Sequence, residues 1–120
     1  MGKVFISYRR DDASGHAGRL YDQLAERLGD NAVFTGENFD DYIHENLSDC
    51  YMCIVVIGRR WSIERLHADG DYVRREIVGA FSHRVIPALF DGAKLPEVTE
   101  LPVELAELVH CQAYDFECWP

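Results

Sequence analysis

The sequence has few positive charges and no long hydrophobic run. Lys and Arg together number 12 against 21 Asp and Glu, which gives a formal net charge of −9. Such a surface repels nucleic-acid phosphates and disfavours a DNA- or RNA-binding function. No apolar stretch approaches the roughly 20 residues that a membrane span needs. Residues 1–6 form too short an apolar run for a signal peptide. These absences favour a cytoplasmic protein without a membrane partner.

Glycine-rich phosphate loops are also missing. Neither the G-x-x-x-x-G-K-[ST] nor the G-x-G-x-x-G pattern occurs, so neither a P-loop nor a dinucleotide-binding turn is predicted. A phosphoryl-receiver domain needs an acceptor Asp after its third strand, where this chain has Ile-Gly-Arg at residues 57–59. A nucleophilic triad of Ser62, His67 and Asp69 has no support in the local pattern.

The four cysteines do not form a metal-binding pattern. Cys50 and Cys53 have the C-x-x-C spacing, but Cys111 and Cys118 do not supply the second close pair that a zinc site needs. None of the five histidines pairs with another at metal-ligand spacing. We therefore expect reduced thiols and no metal.

Short apolar runs alternate with amphipathic segments along the whole chain. The predicted strands cover residues 3–8, 32–34, 52–57, 85–90 and 113–116. The predicted helices cover residues 17–28, 39–50, 71–81 and 101–108, with polar connections at 9–12 and 63–70. The run at 52–57 is apolar without alternation, as in a central parallel strand, whereas Pro87 favours a position near the sheet edge for the fourth strand.

This alternation predicts one α/β domain over residues 1–120. The expected architecture is a flavodoxin-like three-layer sandwich, with a five-stranded parallel sheet of order 2-1-3-4-5 and helices on both faces. In such a sheet the ligand crevice lies beyond the carboxyl ends of strands one and three, where the winding reverses.

Two loops, at residues 8–12 and 58–62, are expected to meet at that crevice. The first carries an arginine pair, Arg9 and Arg10, and the second carries another pair followed by Trp61. Their convergence would create a site for an anion and a ring. The alternative is that the arginines are solvated loop charges.

The segment at residues 71–81 predicts an amphipathic helix with Asp71 as its N-cap. Glu76 directly precedes the apolar Ile77, so its carboxylate is expected on the flank of the helix, near the protein body. The alternative is a solvated glutamate that balances the two arginines before it.

Several segments together resemble a bacterial TIR (Toll/interleukin-1 receptor) domain. They are KVFISYRRDD at 3–12 with the helix after it, IVVIGRRW at 54–61, DYVRREI at 71–77, VIP at 85–87, DG at 91–92 and ELP at 100–102. The resemblance covers nearly the whole chain in the right order.

The resemblance implies a candidate chemistry. The family contains signalling scaffolds and enzymes that cleave NAD⁺ at the nicotinamide–ribose bond. The enzymes use one glutamate on the helix after strand three, and Glu76 occupies that place. The resemblance therefore implies an NAD⁺ glycohydrolase, hydrolysing or cyclising, with NAD⁺ as substrate, no cofactor and no metal. The alternatives are a non-enzymatic TIR–TIR interaction module and a flavodoxin-like carrier that would hold coloured flavin.

The roles of the predicted substrate-binding residues are inferred from their positions in the chain. They are Tyr8, Arg9, Arg10, Gly36, Phe39, Trp61 and Tyr72. The arginines would bind the pyrophosphate, and Tyr8 or Trp61 would stack on a ring.

The loop after strand two departs from the family pattern, because it is shorter than usual and lacks a Pro-Gly. In the family that loop covers the crevice and takes part in association. The resemblance also implies self-association and a place as the effector domain of a longer protein with a sensor module, in antiphage defence or signalling.

Overall fold

The computed structural model describes residues 3–29, 32–35, 50–68, 70–81 and 84–115. The strands are β1 (Lys3–Ser7), β2 (Val33–Thr35), β3 (Cys50–Ile57), β4 (Arg84–Leu89) and β5 (Tyr114–Asp115). The helices are α1 (Arg10–Leu28), α2 (Ile63–Leu66) and α3 (Tyr72–Ala80), followed by two 3-10 helices at Val98–Glu100 and Val103–His110.

The five strands form one parallel sheet of order β2-β1-β3-β4-β5, which is the order predicted from the sequence. The chain runs from the β1–β2 side to the β3–β4 side, so the winding reverses between β1 and β3. β3 pairs with β4 from Met52–Arg84 to Ile57–Leu89, whereas β5 pairs only with Ala88 and Leu89. Pro87 therefore lies in a part of β4 that β5 does not reach, consistent with its expected position near the edge.

Side chains from successive positions of β1 and β3 pack on opposite faces of the sheet. Phe5 and Val55 belong to a core cluster that includes Ile77 of α3, and Ile6 and Val56 belong to a second cluster. The second cluster includes Ala17 and Leu20 of α1. Consecutive residues of a strand point to opposite faces of the sheet. Because two consecutive residues are buried in each of these strands, both faces of the sheet must be covered by other elements. The predicted parallel α/β fold with helices on both faces is confirmed for the described elements.

Some predicted boundaries were wrong. α1 begins at Arg10 rather than at residue 17, so most of the expected polar loop at 9–12 is its first turn. Acidic residues such as Asp12 are favourable there because they complement the positive end of the helix dipole. The polar connection at 63–70 contains the short helix α2, whose N-cap Ser62 accepts a hydrogen bond from the Arg65 amide at 3.2 Å.

Two further expectations have different outcomes. The last predicted helix, at 101–108, is a 3-10 helix at Val103–His110. The predicted helix at 39–50 lies outside the described residues except for Cys50, which starts β3. No helix in the described ranges is long and apolar enough to cross a membrane.

Candidate functional site

Helix α3 brings Glu76 into the interior beside the sheet. Its N-cap, Asp71, accepts a hydrogen bond from the Arg74 amide at 3.0 Å, as the sequence predicted. Val73 and Ile77 insert into the core cluster that covers one face of the sheet. Glu76 is adjacent to Ile77 and only 3% exposed, so the alternative of a solvated glutamate is wrong.

The carboxylate of Glu76 meets the end of β1. The Ser7 hydroxyl donates a hydrogen bond of 2.8 Å to Glu76 Oε1, and Ser7 itself is fully buried. Ser7 is the last residue of β1, next to the point where the sheet reverses its winding. The structure therefore places Glu76 near the carboxyl ends of the strands, where a ligand crevice is expected in this architecture.

Burial raises the pKa of Glu76 from 4.5 to about 8, because the low-dielectric interior disfavours the charged carboxylate. The hydrogen bond from Ser7 acts in the opposite direction and lowers this pKa. The negative charge of Asp71 raises it and the positive charge of Arg9 lowers it. Glu76 is consequently mostly protonated at neutral pH and becomes ionised in mildly alkaline solution. A carboxyl group with so perturbed a pKa is typical of functional sites.

Arg9 and Asp71 form a buried ion pair beside Glu76. Nη1 and Nη2 of Arg9 donate to the two carboxylate oxygens of Asp71 at 2.9 Å each. The side chains are only 2% and 6% exposed. This bidentate contact fastens the segment after β1 to the start of α3. The alternative that Arg9 is a solvated loop charge is therefore wrong. Its Nε atom is also buried, without a hydrogen-bond partner.

The two loops that the sequence predicted to meet do meet. The carboxylate of Asp12, in the first turn of α1, accepts hydrogen bonds from the Gly58 amide at 2.8 Å and the Arg60 amide at 2.6 Å. In the second loop Arg59 and Arg60 are exposed, and Arg59 Nε donates to the backbone oxygen of Asp91 at 2.8 Å. Arg9 is thus buried and paired, whereas Arg59 and Arg60 are exposed.

Gly58 is required for this contact between the loops. A Cβ atom at this position would lie 2.6 Å from Oδ1 of Asp12, whose two carboxylate oxygens are each held by one backbone amide. We expect Gly58→Ala to lower the free energy of unfolding by about 1–3 kcal/mol, because Asp12 must give up a hydrogen bond to make room. Denaturant titration measures this change.

Gly18 provides the matched control for that variant. It lies within α1, and a Cβ atom there would meet nothing within 4 Å. Gly18→Ala is expected to stabilise the protein by about 0.5–1 kcal/mol, because alanine is the better helix former. Equal effects of the two substitutions would contradict the assigned contact.

The remaining predicted substrate-binding residues have different positions. Tyr8 is half-buried and packs against the cluster on the α1 face, directly after Ser7. Trp61 is 7% exposed and belongs to the core cluster on the α3 face, with its Nε1 atom buried without a partner. Its ring is mostly covered by protein, so the structure offers more open ring surface at Tyr8 than at Trp61.

Four of the predicted positions are placed only by their backbone or not at all. Arg10 is the first residue of α1, and Tyr72 is the first residue of α3. Gly36 and Phe39 lie outside the described residues, as does the short loop after strand two. The binding roles of these residues stay predictions.

Sequence reasoning missed two residues of the site, Ser7 and Asp12. Ser7 directly precedes loop 8–12, which the sequence did single out, and Asp12 is its last residue, but the partners of both are distant in the chain. A small hydroxyl residue at the end of a buried strand, and an acidic residue shortly after it, were the available signals. Within the described ranges, no group of three or more His, Cys, Asp or Glu is placed to hold a metal ion.

Comparisons with known proteins agree with this architecture. A family model described as TIR domain matches residues 4–117. Among solved structures, the chain is similar to the TIR domains in the activated Roq1 resistosome directly recognising the pathogen effector XopQ. The TM-score is 0.70 at 14% identity, over 97% of this chain and 88% of that one. At this identity the likeness shows the fold alone. No curated protein matches the chain.

Proposed function

The chain belongs to the TIR-domain family, and we propose that it is an NAD⁺ glycohydrolase with Glu76 as its catalytic residue. The observation that supports this most is the buried Glu76 carboxyl group, held by Ser7 at the carboxyl end of β1. A carboxyl group in this position carries a desolvation cost, and its pKa of about 8 lies close to physiological pH.

The chemistry needs only one carboxylate. The nicotinamide of NAD⁺ already carries a positive charge and leaves as a neutral base, so no general acid has to protonate it. As the bond between C1 of the ribose and nicotinamide breaks, the positive charge passes to the ribose, in a transition state that resembles an oxocarbenium ion. In hydrolysis, water then adds to that carbon and loses a proton to the solvent. An ionised Glu76 beside the ribose would stabilise that charge, and the attraction is stronger in a buried site than in water. The approaching cation in turn favours the ionised form of Glu76.

The other predicted residues would bind the rest of the dinucleotide. Tyr8 offers a half-buried ring directly after Ser7, and Trp61 is the second candidate for stacking. Arg9, whose Nε atom has no protein partner, and Arg10 would contact the pyrophosphate. The proposed binding set is completed by Gly36, Phe39 and Tyr72.

We further propose that the domain acts when self-assembled. The similar solved structure shows TIR domains in an activated resistosome, which supports association of TIR domains. In this proposal the domain is the cytoplasmic effector part of a bacterial protein with a sensor module, which serves antiphage defence or signalling. NAD⁺ and other TIR domains are then its partners.

Nicotinamide release tests the enzymatic proposal. Wild type and Glu76→Gln are each fused to an oligomerising module and incubated with NAD⁺, and free nicotinamide is quantified. We expect the variant to release nicotinamide about 10²–10³-fold more slowly, because the amide has the same shape but no charge. Glu104→Gln removes an exposed carboxylate that pairs with Arg74 on the surface, and it should retain the wild-type rate.

The same experiment distinguishes the second candidate function. If assembled wild type and Glu76→Gln are equally silent, the enzymatic proposal is wrong. The domain is then a TIR–TIR interaction module, for which the similarity to an assembled TIR domain is the supporting observation.

A further inference from the structure

The hydrogen bond between Ser7 and Glu76 joins two elements that are 69 residues apart in the chain. Ser7 is 0% exposed and Glu76 is 3% exposed, so water has little access to compete for this contact. A hydrogen bond in such surroundings constrains the rotamer of the carboxyl group and fixes its distance from the end of β1.

Four elements pack against α3, and they contribute different kinds of side chain to its surroundings. α3 lies against β1, β3, β4 and the second 3-10 helix. β3 and β4 contribute apolar side chains to that interface, such as Val55 and Val85. The second 3-10 helix contributes Glu104, which is engaged with Arg74 at the surface.

Charged groups near Glu76 act in opposite directions. Arg9 and Asp71 carry opposite charges and are paired with each other, so their effects on Glu76 oppose one another. The hydroxyl of Ser7, by contrast, contacts the carboxylate directly as a donor. A donor of this kind is worth more to a carboxylate than to a neutral carboxyl group.

We propose that Ser7 is a positioning residue for the reaction, whose hydroxyl holds the Glu76 carboxylate in place and favours its ionised form. This inference rests on the proposed NAD⁺ glycohydrolase function. Ser7 need not touch the substrate, because it acts through Glu76. Removing the hydroxyl should therefore change the titration of Glu76 and slow turnover, while substrate affinity changes little.

The first test needs no substrate. Carbon-13 NMR of protein labelled at glutamate carboxyl groups follows the titration of Glu76, whose resonance is identified by its loss in Glu76→Gln. Ser7→Ala should raise the pKa of Glu76 further, by about one to two pH units, because a hydrogen bond to a charged group is lost. Ser7→Cys is slightly larger and keeps only a weak donor, so the pKa of Glu76 in this variant should fall between the values in wild type and in Ser7→Ala.

A matched control uses another serine. Ser62→Ala removes the N-cap hydroxyl of α2 without touching Glu76. The titration of Glu76 should be the same in this variant as in wild type. Should Ser7→Ala fail to fold, Ser7→Cys decides the question. A Glu76 titration unchanged in the folded Ser7 variants would overturn the proposal.

The second test separates this inference from the proposed function. In the assembled protein, Ser7→Ala should lower kcat about tenfold or more near neutral pH and move the pH–rate profile to higher pH, with a KM for NAD⁺ within about twofold of wild type. If wild type is active and Ser7→Ala keeps its kcat and profile, Ser7 is not a positioning residue and the glycohydrolase function stands. If wild type releases no nicotinamide, the proposed function fails, even where the NMR titration still shows the Ser7 contact.

Discussion

Replacing Arg9 with methionine is expected to lower the free energy of unfolding by about 3–5 kcal/mol. Methionine has a similar length but no charge, so Asp71 is left as an unpaired carboxylate in a site where its side chain is only 6% exposed. Breaking a buried pair on one side is costly because the remaining charge keeps its full desolvation penalty. Urea denaturation followed by circular dichroism measures the change.

Two control variants make this result specific to the buried pair. Arg9→Met combined with Asp71→Asn removes both charges and keeps an N-cap acceptor for α3, so it should regain a large part of the lost stability. Glu104→Gln breaks the surface ion pair with Arg74 at its exposed carboxylate and should cost no more than about 1 kcal/mol. If Arg9→Met is as mild as Glu104→Gln, the Arg9–Asp71 contact does not hold α3 as described.

Replacing Glu76 with glutamine should stabilise the protein increasingly as the pH rises. The pKa of Glu76 is about 8 in the folded protein and 4.5 as a model group, since burial disfavours the charged form. Between these two values the folded protein keeps a proton that the unfolded chain has lost. Wild-type stability therefore falls as the pH rises through this window, and it levels off above about 8.

Glutamine cannot ionise and does not carry this penalty. The difference between the pKa values of Glu76 in the folded and unfolded states corresponds to about 3–5 kcal/mol of unfolding free energy. The stability of Glu76→Gln relative to wild type should therefore increase by that amount from pH 4 to pH 9. Denaturation at both pH values measures it. Glu104→Gln, which alters an exposed carboxylate, should differ from wild type by less than about 1 kcal/mol at either pH. A gain for Glu76→Gln that is the same at pH 4 and pH 9 would contradict the buried, protonated carboxyl group.

The buried Glu76 carboxyl group lowers the stability of the folded protein. Burying Glu76 next to Asp71 costs free energy, and Ser7 and Arg9 offset only part of it. Proteins retain such arrangements where a group has to react, because a carboxylate shielded from water acts more strongly on a nearby charge.

The fold could be predicted because it depends on local patterns. The apolar runs of β1 and β3 and the helical spacing around Ile77 each indicate their own structure, and alternation of such elements leaves few topologies. The start of α1 was missed because the polar residues at 9–12 fit a loop and a helix N-terminus equally well. α2 was missed because four residues carry too little periodicity.

The site was predictable only in part, for a physical reason. The helical position of Glu76 next to Ile77 indicates that it faces the protein, and Asp71 has a typical N-cap pattern. The partners of these carboxylates depend on how β1 lies against α3, which no local pattern encodes. The contacts with Ser7 and Arg9 therefore appeared only in the structure, as did the core position of Trp61.

The most direct measurement of the central claim is the pH dependence of kcat/KM for nicotinamide release from NAD⁺ by the assembled wild-type protein. With the ionised Glu76 as the catalytic group and a pKa of about 8, kcat/KM should rise about tenfold per pH unit on the acid side and level off above that pKa. Glu76→Gln should show only a slow rate without this rise, and circular dichroism at each pH confirms that both proteins are folded. A wild-type profile that stays flat or falls between pH 6 and pH 9 would contradict the assignment of Glu76 as the reacting carboxylate.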